Sequence, residues 1–260
     1  MFLNDDSISN VIFFPRRAPK PSPSDLPENC QILEFEVQEG INVGGLFFSA
    51  NPELPTLLLF HGNGEIIHDY LHFATKYMEC EVNFAVADFR GYGFSDGKPA
   101  YMQLFKDCYP IYHGVRKHLE DEGFNSDIFV FGRSLGSTCA AELGSKAPYG
   151  MKGVIFESGF SSAYKIMTRL FRLSLPSITE ETLKDYSNYI RVRTFTKPTL
   201  IMHGSNDFII PVDEGKDLFN SVPDGVPKKK IIIDGAGHND IMMWEDEYFP
   251  PIREFIKKYK

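Results

Sequence analysis

Two apolar rhythms alternate along the chain. Continuous β-favouring runs occur at Thr56 to Phe60, Asn83 to Ala87, Ile128 to Phe131, Gly153 to Phe156, Pro198 to Met202 and Lys229 to Ile233. The runs Thr56 to Phe60 and Ile128 to Phe131 read as buried strands, the second covered on both faces. Between them, apolar residues recur every three or four positions. One such set is Ile66, Ile67, Tyr70, Leu71, Ala74, Tyr77 and Met78, and another runs from Leu104 to Leu119. A third runs from Tyr248 to Tyr259, and Ser137 to Leu143 is a small-residue stretch suited to close packing on a sheet. Upstream, Ile32, Leu33, Phe35 and Val37 are set against Glu34, Glu36 and Gln38, and Ile41 to Phe48 follow Glu39-Gly40. That pair predicts an antiparallel hairpin at a sheet edge. Strands alternating with helices make the chain an α/β protein with a mainly parallel sheet.

Two segments break the rhythm. Residues 160–196 carry helical patterning through Tyr164, Ile166, Met167, Leu170, Phe171 and Leu173, then Pro176, and offer no strand. They follow a strand end, where ligands bind in open α/β sheets, so a small lid is expected there. Residues 1–30 read as an N-terminal Pro-rich arm, with Val11 to Phe14 as an apolar anchor and prolines at 15, 19, 21, 23 and 27. Residues 31–260 then form one domain.

A hydrophobic content of 43% over 260 residues supplies core enough for that single domain. The net charge of −8 argues against a nucleic-acid binder. Lys228-Lys229-Lys230 reads as a solvated strand end. Cys30, Cys80, Cys108 and Cys139 have no paired or metal-like spacing. The first ten residues carry Asp5 and Asp6 and no signal-peptide core, and no stretch has the length of an integral membrane segment. A soluble, cytoplasmic chain with reduced thiols is expected.

The candidate chemistry centres on Gly132-Arg133-Ser134-Leu135-Gly136, set between a buried run and the small-residue helix. A hydroxyl nucleophile must project from a sharp turn, and the two glycines leave room for strand and helix to meet there. Gly93-Phe94-Ser95-Asp96-Gly97 matches the same pattern, but Lys98-Pro99 follow it instead of a helix. Ser134 is therefore the expected nucleophile. Its base must come from His61, His68, His72, His113, His118, His203 and His238. Four of these fall on predicted helices, and His61 and His203 end strands. His238 lies in a loop past the last strand, free to reach the sheet edge that carries Ser134. Asp207, in the loop after the penultimate strand, is the leading acid, with Glu157 next. Asp234 and Asp240 read as turn formers and Asp213 as a helix cap. An oxyanion needs two N–H donors, which Leu135 and Asn63 would supply.

Taken together, Phe60-His61-Gly62-Asn63-Gly64, Asp88 to Ser95, Gly132 to Gly136, His203 to Asp207 and Gly235 to Asp240 resemble the α/β-hydrolase superfamily, in its order. Within it, the small single-domain serine hydrolases are similar. The resemblance implies an eight-stranded, mostly parallel sheet flanked by helices, with the Asp88–Ser95 loop structural. Gly-Ala-Gly-His-Asn-Asp and His-Gly-Asn also resemble the branch that includes protein depalmitoylases, whose N-terminal cysteine cluster has no counterpart in the first 29 residues. Prolyl-oligopeptidase-type catalytic domains are similar too, but often carry a second glycine where this chain has Ser137.

These residues predict a serine hydrolase (an esterase or thioesterase) that acts on an acyl bond of a small-molecule or acyl-protein ester, without metal or organic cofactor. The alternatives are a peptidase or amidase, and a non-catalytic binding protein on the same fold. An apolar acyl pocket is expected from Tyr164, Met167, Phe171 and Leu175. Arg169, Arg172, Arg191 and Arg193 read as a solvated face.

Overall fold

The computed structural model describes Leu3 and residues 5–260. Among them a single sheet holds eight strands: β1 (Cys30–Gln38), β2 (Ile41–Phe48), β3 (Thr56–Phe60), β4 (Asn83–Ala87), β5 (Ile128–Arg133), β6 (Met151–Glu157), β7 (Thr199–Gly204) and β8 (Lys228–Ile233). Their spatial order is β1-β2-β4-β3-β5-β6-β7-β8. β1 pairs antiparallel with β2, and β2 with β4, while every later neighbour is parallel. The hairpin and the mostly parallel sheet expected from the sequence are both present. β3 lies between β4 and β5, so the chain reverses direction across the sheet there. Loops leaving β3 and β5 diverge at such a switch point and open a crevice.

The helices are α1 (Asp6–Ile12), α2 (Ala74–Met78), α3 (Tyr101–Asp121), α4 (Ser137–Lys146), α5 (Ala163–Lys165), α6 (Glu180–Leu183), α7 (Asn188–Val192), α8 (Val212–Ser221) and α9 (Glu245–Tyr259). They bury both faces of the sheet. Leu58, Phe60, Ala85 and Val130 pack with Ile111 and Val115 of α3 and Leu143 of α4. The alternate residues Leu57, Leu59, Phe84 and Phe131 pack with Tyr77 of α2 and with Tyr248 and Ile252 of α9. Side chains on a strand point alternately to opposite faces, which is why continuous apolar runs were needed.

Local departures from the sequence pattern have local causes. The helix expected over 66–78 is split into a 3-10 segment, Ile67–His72, and α2. Its first amides are taken by carboxylates: Ile66 N donates to Asp69 and Ile67 N to Asp88. Asp213 does not cap α8. Pro211 holds the cap position, and Asp213 sits in the first turn, ion-paired with Lys216. α1 was not foreseen. Its Asp5 cap accepts from Ser7 N, and Ile8 and Ile12 are buried. The lysine run lies at the surface, with Lys228 on Asp224 and Lys229 on Glu254. Among the described residues no helix is long and apolar enough to cross a membrane.

Candidate active site

β5 ends in a turn that tolerates no side chains at its flanks. A Cβ on Gly132 would stand 2.6 Å from the Ala140 Cβ, and one on Gly136 would stand 2.0 Å from the Phe60 carbonyl oxygen. Contacts that short cannot relax while β3, β5 and α4 stay in place. Between the glycines, Ser134 adopts a φ of 50°, a left-handed conformation that costs free energy for a residue with a Cβ. The strain turns the hydroxyl out of the strand line towards the crevice.

Two other strand ends bring partners to it. Asp207 follows β7, and His238 lies on the loop after β8. A Cβ on Gly204 would come within 2.2 Å of the Ala236 carbonyl oxygen, so the two loops touch backbone to backbone. Gly235, at φ +79°, turns the histidine loop, and Gly237 N donates to Asp240 Oδ1 at 2.6 Å. His238 Nδ1 lies 2.7 Å from Asp207 Oδ2, and His238 Nε2 lies 3.0 Å from Ser134 Oγ. An ionised carboxylate can only accept, so Nδ1–H donates to Asp207 and Nε2 is left to accept the Ser134 hydroxyl. The opposite Asp207 oxygen, Oδ1, accepts from Ile209 N at 3.0 Å and Ile210 N at 2.8 Å. Burial alone would raise the Asp207 carboxyl, but hydrogen bonds from His203 and His238 outweigh it and hold it well below the usual carboxylate range.

Several other candidates are engaged elsewhere, and His72 and His113 are exposed. The Ser95 hydroxyl is buried and accepts from Gly44 N at 2.9 Å, so it braces β2. His61 is buried with Nε2 3.1 Å from Asp88 Oδ1. Desolvation works against its protonated form, yet the bond to Asp88 prevails and raises its pKa. His203 Nε2 lies 2.8 Å from the Ile210 carbonyl and 3.3 Å from Asp207 Oδ2. His68 meets the Pro19 carbonyl, and His118 packs on Phe47. Glu157, the second choice for the acid, pairs with Arg133 and accepts from the Tyr248 hydroxyl.

Arg133 itself carried no prediction, because the nucleophile pattern treats its position as free. It is a buried hub. Its guanidinium binds Glu65 at 2.6 Å, Glu157, and the His238 carbonyl oxygen at 3.1 Å. Desolvation opposes its charge, but Glu157 and Glu65 more than compensate and raise its pKa. Glu65 in turn accepts from Gly62 N at 3.0 Å. One side chain thus ties the loop after β3, the end of β6 and the histidine loop to the nucleophile turn. A strand-ending arginine with glutamates closing two neighbouring segments was the available sequence signal.

Ser134, His238, Leu135 and Asn63 line one cavity of about 290 Å³. Phe160, Ile166, Leu170, Phe171, Ile209 and Ile210 give it an apolar wall. Of the expected acyl-pocket residues only Phe171 is among the lining. Met167 is buried in the core, Tyr164 packs against the core and Leu175 is exposed. The cause is a π-helical turn over Ile166–Leu170, where Phe171 N reaches Ile166 O. A π turn aligns residues five apart, so Phe171 sits with Ile166, beside Leu170, and not over Met167. Arg191 pairs with Glu142, Arg193 stacks over Tyr189, and Arg169 and Arg172 are exposed. A wider surface hollow of about 600 Å³, lined by Lys165, Arg193 and Asp217, contains none of Ser134, Asp207 and His238.

The sequence profile of a family described as serine aminopeptidase, S33, matches residues 52–187, just over half of the chain. Alpha/beta hydrolase domain-containing protein 17C of Xenopus laevis is 27% identical over 232 residues, which are 87% of this chain and 69% of that protein. The human alpha/beta hydrolase domain-containing protein 17B is 26% identical over 226 residues, 85% of this chain and 73% of its own. Among solved structures, an esterase of Pyrococcus furiosus superposes with a TM-score of 0.74 at 20% identity, covering 94% of this chain and 98% of its own.

Proposed function

The chain belongs to the serine aminopeptidase S33 family of the α/β-hydrolase superfamily, and from that premise we propose that it is a serine hydrolase cleaving acyl esters or thioesters. The observation that carries this reading is the connected series Ser134 Oγ, His238 Nε2, His238 Nδ1 and Asp207, with separations of 3.0 and 2.7 Å, opening onto an apolar cavity.

In the proposed reaction Ser134 Oγ attacks the acyl carbonyl carbon while its proton passes to His238 Nε2. Asp207 keeps the imidazole in the tautomer that leaves Nε2 free, and its charge stabilises the imidazolium. The N–H groups of Leu135 and Asn63 donate to the oxyanion, each worth about 3 kcal/mol in the transition state. His238 then gives its proton to the departing alcohol or thiol. Water attacks the acyl-enzyme by the same route, releasing the acid and restoring Ser134. The acyl group lies along Ile166, Leu170 and Phe171, and the leaving group belongs to a small molecule or to an acylated protein. The family's description as an aminopeptidase favours amide cleavage as the second reading.

The test is hydrolysis of p-nitrophenyl acetate, butyrate, octanoate and palmitate, alongside matched anilides. Wild type should turn over esters, and Ser134→Ala should lose about 10⁴-fold or more in kcat while Ser95→Ala keeps its activity. Efficient anilide cleavage would move the assignment to the amide reading. A wild type that neither hydrolyses any of these nor labels with a fluorophosphonate would sink both.

A further inference from the structure

Part of the cavity wall comes from outside residues 31–260. It is Phe14, from the N-terminal arm. Its neighbours Ile12 and Phe13 are 0% and 3% exposed, whereas Phe14 is 57% exposed. The anchor is buried, and the ring beside it is left uncovered at the cavity.

The arm is fixed on both sides of that ring. The Asn63 carboxamide is spent on it: Oδ1 accepts from Phe14 N at 3.0 Å, and Nδ2 donates to the Ile12 carbonyl at 2.7 Å. The Tyr92 hydroxyl donates to the same Oδ1 at 2.7 Å and lies 3.2 Å from Phe14 N. Beyond Phe14, the Arg16 guanidinium donates to the Gly64 carbonyl at 3.2 Å and pairs with Asp69 at 2.7 Å. Gly93 N donates to Arg16 O at 2.8 Å, and Ala18 N donates to Gly93 O at 3.0 Å. Residues 12–18 are therefore strapped to two loops: the one carrying Asn63 and Gly64, of which Asn63 lines the site beside Ser134, and the one carrying Tyr92 and Gly93. Proline at 15 and 19 keeps the strap extended.

We propose that Phe14 is a specificity-determining residue, held by this strap so that its exposed ring covers the acyl chain of the substrate. The inference rests on the hydrolase reading. Asn63 then serves twice. Its side chain fixes the strap, and its backbone lies in the proposed oxyanion loop, so the acyl wall and the reacting carbonyl are referenced to one residue. Chains long enough to reach the ring bury it, and shorter ones leave it wet, so its contribution grows with acyl length.

The experiment compares Phe14→Ala with wild type across the p-nitrophenyl ester series. Phe14 is exposed, so the variant should fold, and thermal denaturation checks this. The ratio of kcat/KM for octanoate over acetate should fall by about tenfold, with Phe14→Leu restoring most of it. Tyr92→Phe, which loosens the strap, should move the ratio the same way by less. A ratio that stays constant or rises overturns the acyl contact while leaving the hydrolase reading standing. In parallel, cis-parinaric acid binding to Ser134→Ala is measured with and without Phe14→Ala. If wild type hydrolyses no ester or anilide and takes no fluorophosphonate label, but Phe14→Ala weakens parinarate, the hydrolase reading fails and the contact holds. If no ester or anilide is cleaved, no label is taken, and parinarate binds equally or not at all, both fall.

Discussion

The two sides of the cavity are built in opposite ways. On one side, Ser134, His238, Asp207 and Arg133 sit buried at strand ends and on the loops just past them, and each is held by directed hydrogen bonds. On the other, Phe14, Leu170 and Ile209 are 57%, 38% and 37% exposed and come from irregular segments or short helices. Proton transfer needs atoms within a few tenths of an ångström, which rigid strand ends and buried ion pairs supply. Apolar contact has no direction, so any side chain of suitable bulk can make the opposite wall. On the proposed mechanism, the chemistry is therefore set by exact neighbours, and the acyl preference by whatever apolar residues the insertions present.

The sharpest way to break this contrast is at the acid. On the proposed mechanism Asp207→Asn presents the wrong hydrogen-bonding partner to His238 Nδ1 and lowers kcat by about 10⁴-fold, as measured on the best ester. Glu157→Gln should behave differently. It leaves Arg133 beside Glu65 alone, and breaking a buried ion pair costs about 3 kcal/mol of stability. Chemical denaturation reads that loss. A Glu157→Gln protein that is stable but as inactive as Asp207→Asn would reassign the acid.

Gly136→Ala comes next, with a cost of about 2 kcal/mol or more from overpacking against Phe60 O, measurable as a lower unfolding midpoint. Gly123→Ala makes the control for clash, since nothing lies within 4 Å of a Cβ there, although its φ of +75° still carries backbone strain. A Gly136→Ala protein no less stable than Gly123→Ala would show that the nucleophile turn yields more than its contacts indicate.

Acid should weaken the polar side selectively. The folded-state carboxyls of Asp207 and Glu65 are both held below their ordinary values, the one by His203 and His238 and the other by Arg133, in each case against burial. A depressed pKa contributes stability above the unfolded value of about 4, and that contribution is lost as pH falls towards the folded value. Thermal midpoints should drop on going from pH 5 to pH 3. The slope should be shallower in Asp207→Asn, and an unchanged slope would contradict the depressed carboxylate.

The same contrast explains what the sequence disclosed. Buried strands announce themselves because both faces must be apolar, so Thr56–Phe60 and Asn83–Ala87 were legible to the residue. Ser134, Asp207 and His238 were legible as positions because sharp turns after strands demand glycine and short polar residues. The structure then brings the three together. α1 was hidden because seven residues with one pair of inward isoleucines carry too little periodicity, and tertiary burial supplies the rest. Arg133 was hidden because its partners lie 68 and 24 residues away. The cavity wall was misassigned because a π turn changes the period within a single helix.

That misassignment yields the smallest and most discriminating prediction. Leu170 faces the cavity and is partly exposed, whereas Met167, three residues earlier, is buried in the core. An uninterrupted α-helix would have placed 167 and 171 on one face, four residues apart. In the observed turn, 166, 170 and 171 line the site instead. Leu170→Ala should therefore leave unfolding within about 0.5 kcal/mol of wild type, because it opens no internal cavity. It should raise KM for p-nitrophenyl octanoate by about threefold to tenfold with kcat nearly constant, the mark of binding lost equally from ground and transition states. Met167→Ala should do the reverse, lowering the unfolding midpoint and leaving the preference between octanoate and acetate in place. If the acyl preference followed Met167 and the stability followed Leu170, Met167 and not Leu170 would have to line the cavity, and the wall would lie on the face shared by 167 and 171.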